Sequence, residues 1–181
     1  MDLRQLADCR NGASKEGTRH AVVAEYPHGK AVSSAYFDRT GSQVLTTSYD
    51  DQLRVFDFDT TAASTRRKGS AKSEPATIAP SVSFKHNCQT GRYVSVFKAS
   101  WATCPTLPSH FTVGHMNRFI DIYSPERGFI GRLSQPSYLT AVPAVTASHP
   151  RLPSRYVAGN ASGKVCFFGR RRLDRDGPEG Q

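Results

Sequence analysis

The sequence predicts an all-β chain made of repeated units of the β-propeller type, and three observations support this. Short segments rich in Val, Thr, Tyr and Phe alternate with turns rich in Gly, Asn, Asp and Ser. No stretch shows a convincing helical period. The same strand–turn–strand pattern also recurs along the chain, which is typical of stacked repeats.

The clearest unit runs from Lys30 to Phe58 and reads as short strands joined by two tight turns. Its last strand pair, QVLTTSYDDQLRVFD (43–57), is matched by HFTVGHMNRFIDIYS (110–124) and RYVAGNASGKVCFFG (155–169). A lone meander leaves a sheet face and edges exposed, so it needs neighbours of its own kind. A repeat of roughly 40 residues, with loops discounted, is typical of four-stranded propeller blades.

The same signals place three blades within residues 20–168. The predicted strands, in chain order, are 20–26, 31–37, 43–48, 53–58, 81–85, 93–101, 110–114, 118–124, 128–134, 141–147, 155–159 and 164–168. Residues 1–19 are expected to hold the end of a preceding blade and a loop. Residues 59–80 and 169–181 are charged and poor in large apolar side chains, so we expect a disordered insertion and a disordered tail there.

The chain of 181 residues carries a net charge of +9. The two segments predicted to be disordered carry +2 and +1, which leaves +6 on the residues expected to fold. A cationic folded surface favours a polyanion, and nucleic acid more than a membrane because no amphipathic helix is visible. A charge that serves only solubility is the alternative on composition alone.

The sequence lacks the signals of membrane, secreted and metal-binding proteins. No apolar run is long enough to span a membrane, and the N-terminus has no apolar core of a signal peptide. Four scattered cysteines suggest a reducing intracellular compartment. His86-Asn87-Cys88 is a weak hint of metal against the reading of ordinary loop residues. We therefore expect no enzyme, no cofactor and no metal.

The pattern SxDxxLxxFD at residues 48–57 resembles the end of a WD repeat with Phe in place of Trp. In WD repeats a turn His, a strand Ser or Thr, a turn Asp and the Trp form a hydrogen-bonded brace. The resemblance implies that His28, Thr46 and Asp50 take three of these roles. Phe56 lacks the indole N–H, so the brace is expected to be incomplete.

A longer resemblance covers about residues 2–168. DLRQL (2–6), the LTTSYDDQLRVFD strand pair and HNCQTGRYVSVFKASW (86–101) occur in that order and are followed by TVGHMNRFIDIYS. Together they resemble the C-terminal part of the DNA damage-binding WD-repeat proteins, and most closely their CMR-type relatives. This implies about three blades of a seven-bladed ring whose N-terminal blades are missing. It also implies a nuclear location, with a cytoplasmic pool as a further possibility.

The turns before a blade's innermost strand and between its second and third strands open on one face of a propeller. Basic, amide and aromatic side chains in these turns suit phosphate contacts and base stacking. Ordinary turn formers are the alternative reading, because Asn and Gly are common in any turn. The residues predicted to contact DNA are Lys30, His86, Asn87, Gln89, Arg92, Tyr93, Lys98, His115, Arg118 and Lys164.

The loop Thr90–Tyr93 is the sharpest candidate among these. In the UV-damage-binding relatives, the loop before this strand inserts an aromatic-and-polar wedge into the duplex at the lesion. The resemblance implies that Arg92 fills the gap or holds phosphate and that Tyr93 stacks on a base. Tyr93 packed inward is the alternative. Gly91 stands where the UV-damage binder has a bulky aromatic residue.

Partners other than DNA are implied by the same resemblance. In WD-repeat receptors of cullin-RING ubiquitin ligases, the Trp-Asp-x-Arg ending faces the large damage-binding adaptor subunit, which would assign adaptor contacts to Asp2 and Arg4. The alternative function is a protein–protein scaffold or ligase substrate receptor, with histones among its partners and no direct DNA binding. A third reading is that an incomplete ring has no function.

Overall fold

The computed structural model describes residues 24–58, 76–91 and 94–169 of the chain, and their regular structure is all β-strand. Within this part no helix has the length and apolar character needed to cross a membrane. The strands are β1 (Ala24–Glu25), β2 (Val32–Phe37), β3 (Gln43–Ser48), β4 (Gln52–Asp57), β5 (Ala76–Thr77), β6 (Val82–Lys85), β7 (Ser100–Trp101), β8 (Phe111–His115), β9 (Phe119–Ser124), β10 (Gly128–Leu133), β11 (Pro143–Ser148), β12 (Tyr156–Asn160) and β13 (Val165–Phe168).

Three antiparallel sheets follow one another along the chain, and we call them blades 1, 2 and 3. Blade 1 has the strand order β2-β3-β4-β6, blade 2 has β7-β8-β9-β10, and blade 3 has β11-β12-β13 among the described residues. Each strand pairs with the next one within its blade, which is the meander of a propeller blade. The predicted all-β chain of repeated meanders is confirmed.

Blades 1 and 2 pack face to face through large apolar side chains. Leu45, Val55 and Phe111 are fully buried between them. Burial of each such side chain stabilises the fold by about 1.5–3 kcal/mol. The indole Nε1 of Trp101, on blade 2, donates a hydrogen bond of 2.9 Å to the backbone carbonyl of Tyr36, on blade 1. The cluster comprises Leu45, Leu53, Val55, Cys88, Phe97, Ala99, Trp101, Phe111, Val113 and Tyr123.

Blades 2 and 3 approach each other more closely, through small and hydroxyl-bearing side chains. The hydroxyl groups of Thr112 and Thr146 are 3.0 Å apart and buried. A Cβ atom placed on Gly114 would lie 1.7 Å from the backbone carbonyl oxygen of Pro143, far inside van der Waals contact. Gly114 is therefore required by the spacing of the two sheets.

The predicted strand 93–101 is shorter in the structure, where only Ser100–Trp101 pairs with a neighbouring strand. The backbone before it bonds to side chains of blade 1 instead of a sheet ladder. Ala99 N–H donates to the Thr47 hydroxyl at 3.0 Å, and the Ser33 hydroxyl donates to the Phe97 carbonyl at 2.7 Å. The prediction of a strand is wrong for 94–99. Alternating apolar residues indicate which side chains are buried, but they do not show whether the backbone bonds to a neighbouring strand or to side chains.

The predicted disordered insertion, 59–80, is too long at its C-terminal end. Ala76–Thr77 forms β5, which pairs in parallel with β1, and Ile78 N–H donates to the Glu25 carbonyl at 3.0 Å. Residues 1–23, 59–75, 92–93 and 170–181 lie outside the described residues, so the predictions made for them stay predictions.

Replacing Gly114 with Ala is expected to lower the free energy of unfolding by about 2 kcal/mol, because the added methyl group must push blade 3 away from blade 2. The matched control is Gly159→Ala, at the corresponding position of the third repeat, where a Cβ meets nothing within 4 Å. This change is expected to be neutral or slightly stabilising. Urea denaturation of both variants tests the prediction, which fails if the two changes cost the same.

Candidate nucleic-acid interface

The turns that join the second and third strands of the blades share one backbone geometry. Their third residues, Asp51, Arg118 and Gly163, have φ values of 61°, 66° and 76°. A left-handed conformation is rare outside Gly, so its recurrence marks these turns as equivalent parts of the repeat. We call these turns, 49–51, 116–118 and 161–163, together with the loop 86–91, the turn face.

The residue before each turn stabilises it in the same way. A side-chain acceptor on Ser48, His115 or Asn160 takes a hydrogen bond from the backbone N–H two residues later, at 3.4, 3.0 and 3.2 Å. Such local side-chain bonds compete with regular structure and favour tight turns. His115, predicted to contact DNA, therefore uses its Nδ1 atom to hold the turn, and burial lowers the pKa of its ring.

The brace of blade 1 differs from the prediction. Arg54 donates to Asp50 at 2.8 Å and lies 3.2 Å from Nδ1 of His28, so its guanidinium joins these two residues. Among the described residues, the Thr46 hydroxyl bonds to the Arg54 carbonyl, at 3.5 Å, and to neither His28 nor Asp50. The role of Arg54 was not predicted, because the donor in the WD-repeat brace is an indole; here a guanidinium donates in its place.

The charges of this brace are fixed by the guanidinium. Burial raises the pKa of Asp50, but hydrogen bonds from Arg54 and Ser48 and the charge of Arg54 outweigh it, so the pKa lies below its ordinary value. Burial, followed by the Arg54 charge, lowers the pKa of His28. At neutral pH the brace is therefore an ion pair beside a neutral imidazole.

The loop after β6 docks on the first turn. The Cys88 N–H donates to Asp51 Oδ1 at 2.8 Å, the Gln89 side-chain amide donates to the Tyr49 carbonyl, and the Tyr49 and Thr90 hydroxyls are 3.3 Å apart. Burial and then the neighbouring carboxylates raise the pKa of Cys88 to about 12, so its thiol stays protonated. Gln89, predicted to contact DNA, is exposed but has one side-chain donor turned inward.

His86 is a correction to the predicted interface. Its side chain is 3% exposed, and burial lowers its pKa, so the ring is neutral. Nε2 donates to the Gly114 carbonyl at 2.9 Å, and Nδ1 lies 3.4 Å from the Tyr123 hydroxyl. Both ring nitrogens are used inside the protein, so His86 joins blade 1 to blade 2 and does not face a ligand.

Two predicted cations converge. Arg118 donates to the backbone carbonyl of Thr140 at 3.3 Å, and the Lys164 ammonium donates to the Thr140 hydroxyl at 3.3 Å. They come from the second and third turns of the turn face and are both exposed. Thr140 lies in a loop with no motif, so this convergence could not be predicted from the sequence.

The other predicted contacts are placed separately. Lys30, Asn87 and Lys98 are exposed, and Lys98 stands between two buried residues of the segment before β7. Arg92 and Tyr93 lie outside the described residues, as do Asp2 and Arg4. No group of three or more His, Cys, Asp or Glu side chains that could hold a metal occurs in ranges 24–58, 76–91 and 94–169.

An open depression of about 270 Å³ lies beside Lys164 and is also lined by Ser95 and Asn160. It links the third turn to the described segment that begins at Val94. Within the described part of the chain, Nδ2 of Asn160 is a buried side-chain atom without a hydrogen-bond partner. A buried donor that lines the depression without an acceptor lowers the stability of the fold, unless an acceptor from a ligand reaches it.

No protein-family model matches the chain. It is similar to proteins named DNA damage-binding protein CMR1: 44% identical over 147 residues in Cryptococcus neoformans, 40% over 150 residues in Aspergillus terreus, and 39% over 166 residues in Phaeosphaeria nodorum. These matches cover 80%, 81% and 91% of this chain and 24%, 27% and 31% of the relatives. The chain thus spans about a quarter to a third of their length. The resemblance to CMR-type proteins is confirmed.

A solved structure supports the fold. The β-propeller domain of Swd1 from Myceliophteria thermophila matches with a TM-score of 0.53 at 13% sequence identity. The match covers 77% of this chain and 38% of the Swd1 chain. At this identity the likeness concerns the fold alone, and it confirms the predicted partial β-propeller.

Arg54→Ala is expected to lower the free energy of unfolding by about 1–2 kcal/mol at pH 7, because it leaves the half-buried Asp50 carboxylate without its cation. The folded pKa of Asp50 is lowered, so its contribution is complete above the ordinary Asp pKa of about 4 and is lost as pH falls through the folded value. The difference from wild type should therefore shrink at pH 3. Urea midpoints at both pH values measure it, with the exposed Arg39→Ala as control; equal deficits at both pH values contradict the prediction.

Proposed function

We propose that this chain, a homologue of part of the CMR-type DNA damage-binding proteins, binds duplex DNA through its turn face and acts without catalysis. The proposal includes a nuclear role in the response to DNA damage, for which the names of the relatives are the support. The observation that carries it is the convergence of Arg118 and Lys164 on Thr140.

Two positive charges held at one residue form a place for an anion. Each side chain uses one donor on Thr140, and a guanidinium has five N–H donors while an ammonium has three. Within the described ranges the remaining donors have no other partner, so they can bind phosphate oxygens with charge-assisted hydrogen bonds. A phosphate between them also relieves the repulsion of the two cations.

The carboxylates of the turn face are turned away from a ligand. Asp50 is paired with Arg54, and Asp51 accepts the Cys88 N–H. An acidic side chain that is already paired repels phosphate less than a free one. The first turn therefore adds little negative charge beside Lys30, which is exposed.

The sequence-based wedge completes the proposal. Arg92 and Tyr93 follow Gly91 directly, and Ser95 lines the depression beside Lys164. We expect the predicted wedge at 92–93, which lies outside the described ranges, to act together with the proposed phosphate contacts. Unstacking costs least where the duplex is already damaged, which gives such a wedge its preference for lesions.

The double variant Arg118→Ala, Lys164→Ala is expected to weaken duplex binding about tenfold at low salt and to lower the slope of log affinity against log salt by about 2, because two phosphate contacts are lost. Fluorescence anisotropy of a labelled duplex with the 181-residue chain, across a salt series, measures both quantities. Retention of the wild-type slope in this variant contradicts the assignment of these residues.

The matched control is Arg39→Ala, Arg127→Ala. It removes the same charge from two exposed residues, in the turns β2–β3 and β9–β10. Because consecutive hairpin turns lie at opposite ends of the strands, these two turns are on the side away from the turn face. This control should bind as wild type does. A chain that shows no salt-dependent binding to any duplex overturns the proposed function. A second series with a UV-damaged duplex, compared with Tyr93→Ala, tests the lesion preference separately.

Protein partners are a distinct part of the proposal. The sequence resemblance is the support for adaptor contacts through Asp2 and Arg4, which lie outside the described ranges. It is also the support for histone contacts. Capture of purified adaptor that survives nuclease treatment and is lost in Arg4→Ala would support a ligase role. Capture that is lost on nuclease treatment would instead show that the two proteins are held together by DNA that both bind.

A further inference from the structure

The two cations that meet at Thr140 have no carboxylate partner in the described part of the chain. The ion pairs found there lie elsewhere, in the brace of blade 1 and on blade 2. Arg118 and Lys164 donate instead to the carbonyl and the hydroxyl of Thr140, each at 3.3 Å, and both acceptors are uncharged. Two cations held on one neutral residue repel each other, and an anion placed between them removes that repulsion.

Thr140 itself is accessible from solvent. It lies in the loop between β10 and β11, where residues 134–138 and Thr140 are all exposed. Leu139 is 1% exposed and anchors this loop, and its N–H donates to the Gln135 carbonyl at 2.8 Å. Because Thr140 belongs to neither strand, its backbone is not part of a sheet ladder. A hydroxyl group on such a surface loop is within reach of a modifying enzyme.

We propose that Thr140 is a phosphorylation site, and that Arg118 and Lys164 hold its phosphate so that the turn face is closed to DNA. The donor is ATP bound to a serine/threonine kinase. A bond forms between the Thr140 hydroxyl oxygen and the γ-phosphorus, the bond from that phosphorus to the ADP oxygen breaks, and the hydroxyl proton passes to a carboxylate of the kinase. The modification site stands on its own geometry, whereas its effect on DNA rests on the proposed function.

A phosphate at this position suits both cations. It adds three acceptor oxygens and a charge of about −1.5 to −2 at pH 7. These oxygens extend from the atom that the Lys164 ammonium already contacts, and the Arg118 guanidinium is bonded to the same residue. Charge-assisted hydrogen bonds from both side chains therefore follow. The phosphate cancels the two positive charges and occupies the donors that would otherwise bind a DNA phosphate.

The capture of the phosphate is tested without DNA. Phosphothreonine is incorporated genetically at position 140 of the 181-residue chain and titrated by phosphorus NMR. The second pKa of such a phosphate is ordinarily about 6. We expect it to be about one unit lower at position 140, because two cations favour the dianion. In the variant Arg118→Ala, Lys164→Ala it should return to about 6.

The matched control is a phosphate on Ser137, which is exposed in the same loop. Its pKa should stay at about 6 in both backgrounds. An ordinary pKa at position 140, equal shifts at positions 140 and 137, or a shift at 140 that survives loss of both cations overturns the capture.

The effect on DNA is measured by fluorescence anisotropy of the labelled duplex. The chain phosphorylated at Thr140 is expected to bind about tenfold more weakly at low salt, with a salt slope lower by about 2, as for removal of the two cations. The phosphate on Ser137 should weaken binding by no more than about threefold. A lowered pKa at position 140 with unchanged DNA affinity overturns the regulation. An unmodified chain that binds no duplex overturns the proposed function and leaves the phosphate capture standing.

Occupancy of the site in the cell is a separate measurement. Phosphopeptide mass spectrometry is applied to the protein purified from its own cells, before and after UV irradiation. We expect phosphate on Thr140 in at least one of these conditions. Phosphate confined to Ser134 or Ser137, or no phosphate on this loop in either condition, overturns the assignment of Thr140.

Discussion

Face-to-face packing of consecutive blades is the interaction on which the rest of this structure depends. A single blade is a meander whose faces are both apolar in part, so its burial must come from its neighbours. Leu45, Val55 and Phe111 fill the first contact, and the close approach at Gly114 sets the second. The turn face is a product of this packing, because the sheets below hold each turn in place relative to the next, and Thr140 adds a direct link between the second and third turns.

Charged side chains at the blade contacts are held in ion pairs. At one position of the repeat, blade 1 has Arg54 with Asp50 and blade 2 has Asp121 with Arg132, at 2.8 and 2.7 Å. Asp121 is 1% exposed, and a buried carboxylate that loses its partner is strongly destabilising. The same site thus accepts opposite charges, provided that each is paired. This explains why the repeats keep their shape while their residues differ.

Much of the fold could be predicted because turn residues and apolar alternation mark strand ends directly. The segments 43–57, 110–124 and 155–169 align in sequence, and their left-handed turn residues coincide. The brace could be predicted only in part. The predicted donor position was that of Phe56, whereas the donor in the structure is Arg54, two residues earlier on β4. His86 was misassigned because a turn residue next to a strand can face inward, and only packing against Gly114 decides this. Thr140 carries no motif, so a convergence that depends on tertiary placement was invisible.

Trp101 has a use that follows from its position. It is the chain's one tryptophan, it lies between blades 1 and 2, and its indole N–H is bonded across that contact to Tyr36. An indole in an apolar, hydrogen-bonded site emits differently from one in water. Tryptophan fluorescence of this protein, excited where its seven tyrosines do not absorb, therefore reports the docking of its first two blades and gives a native optical probe of that contact without a label.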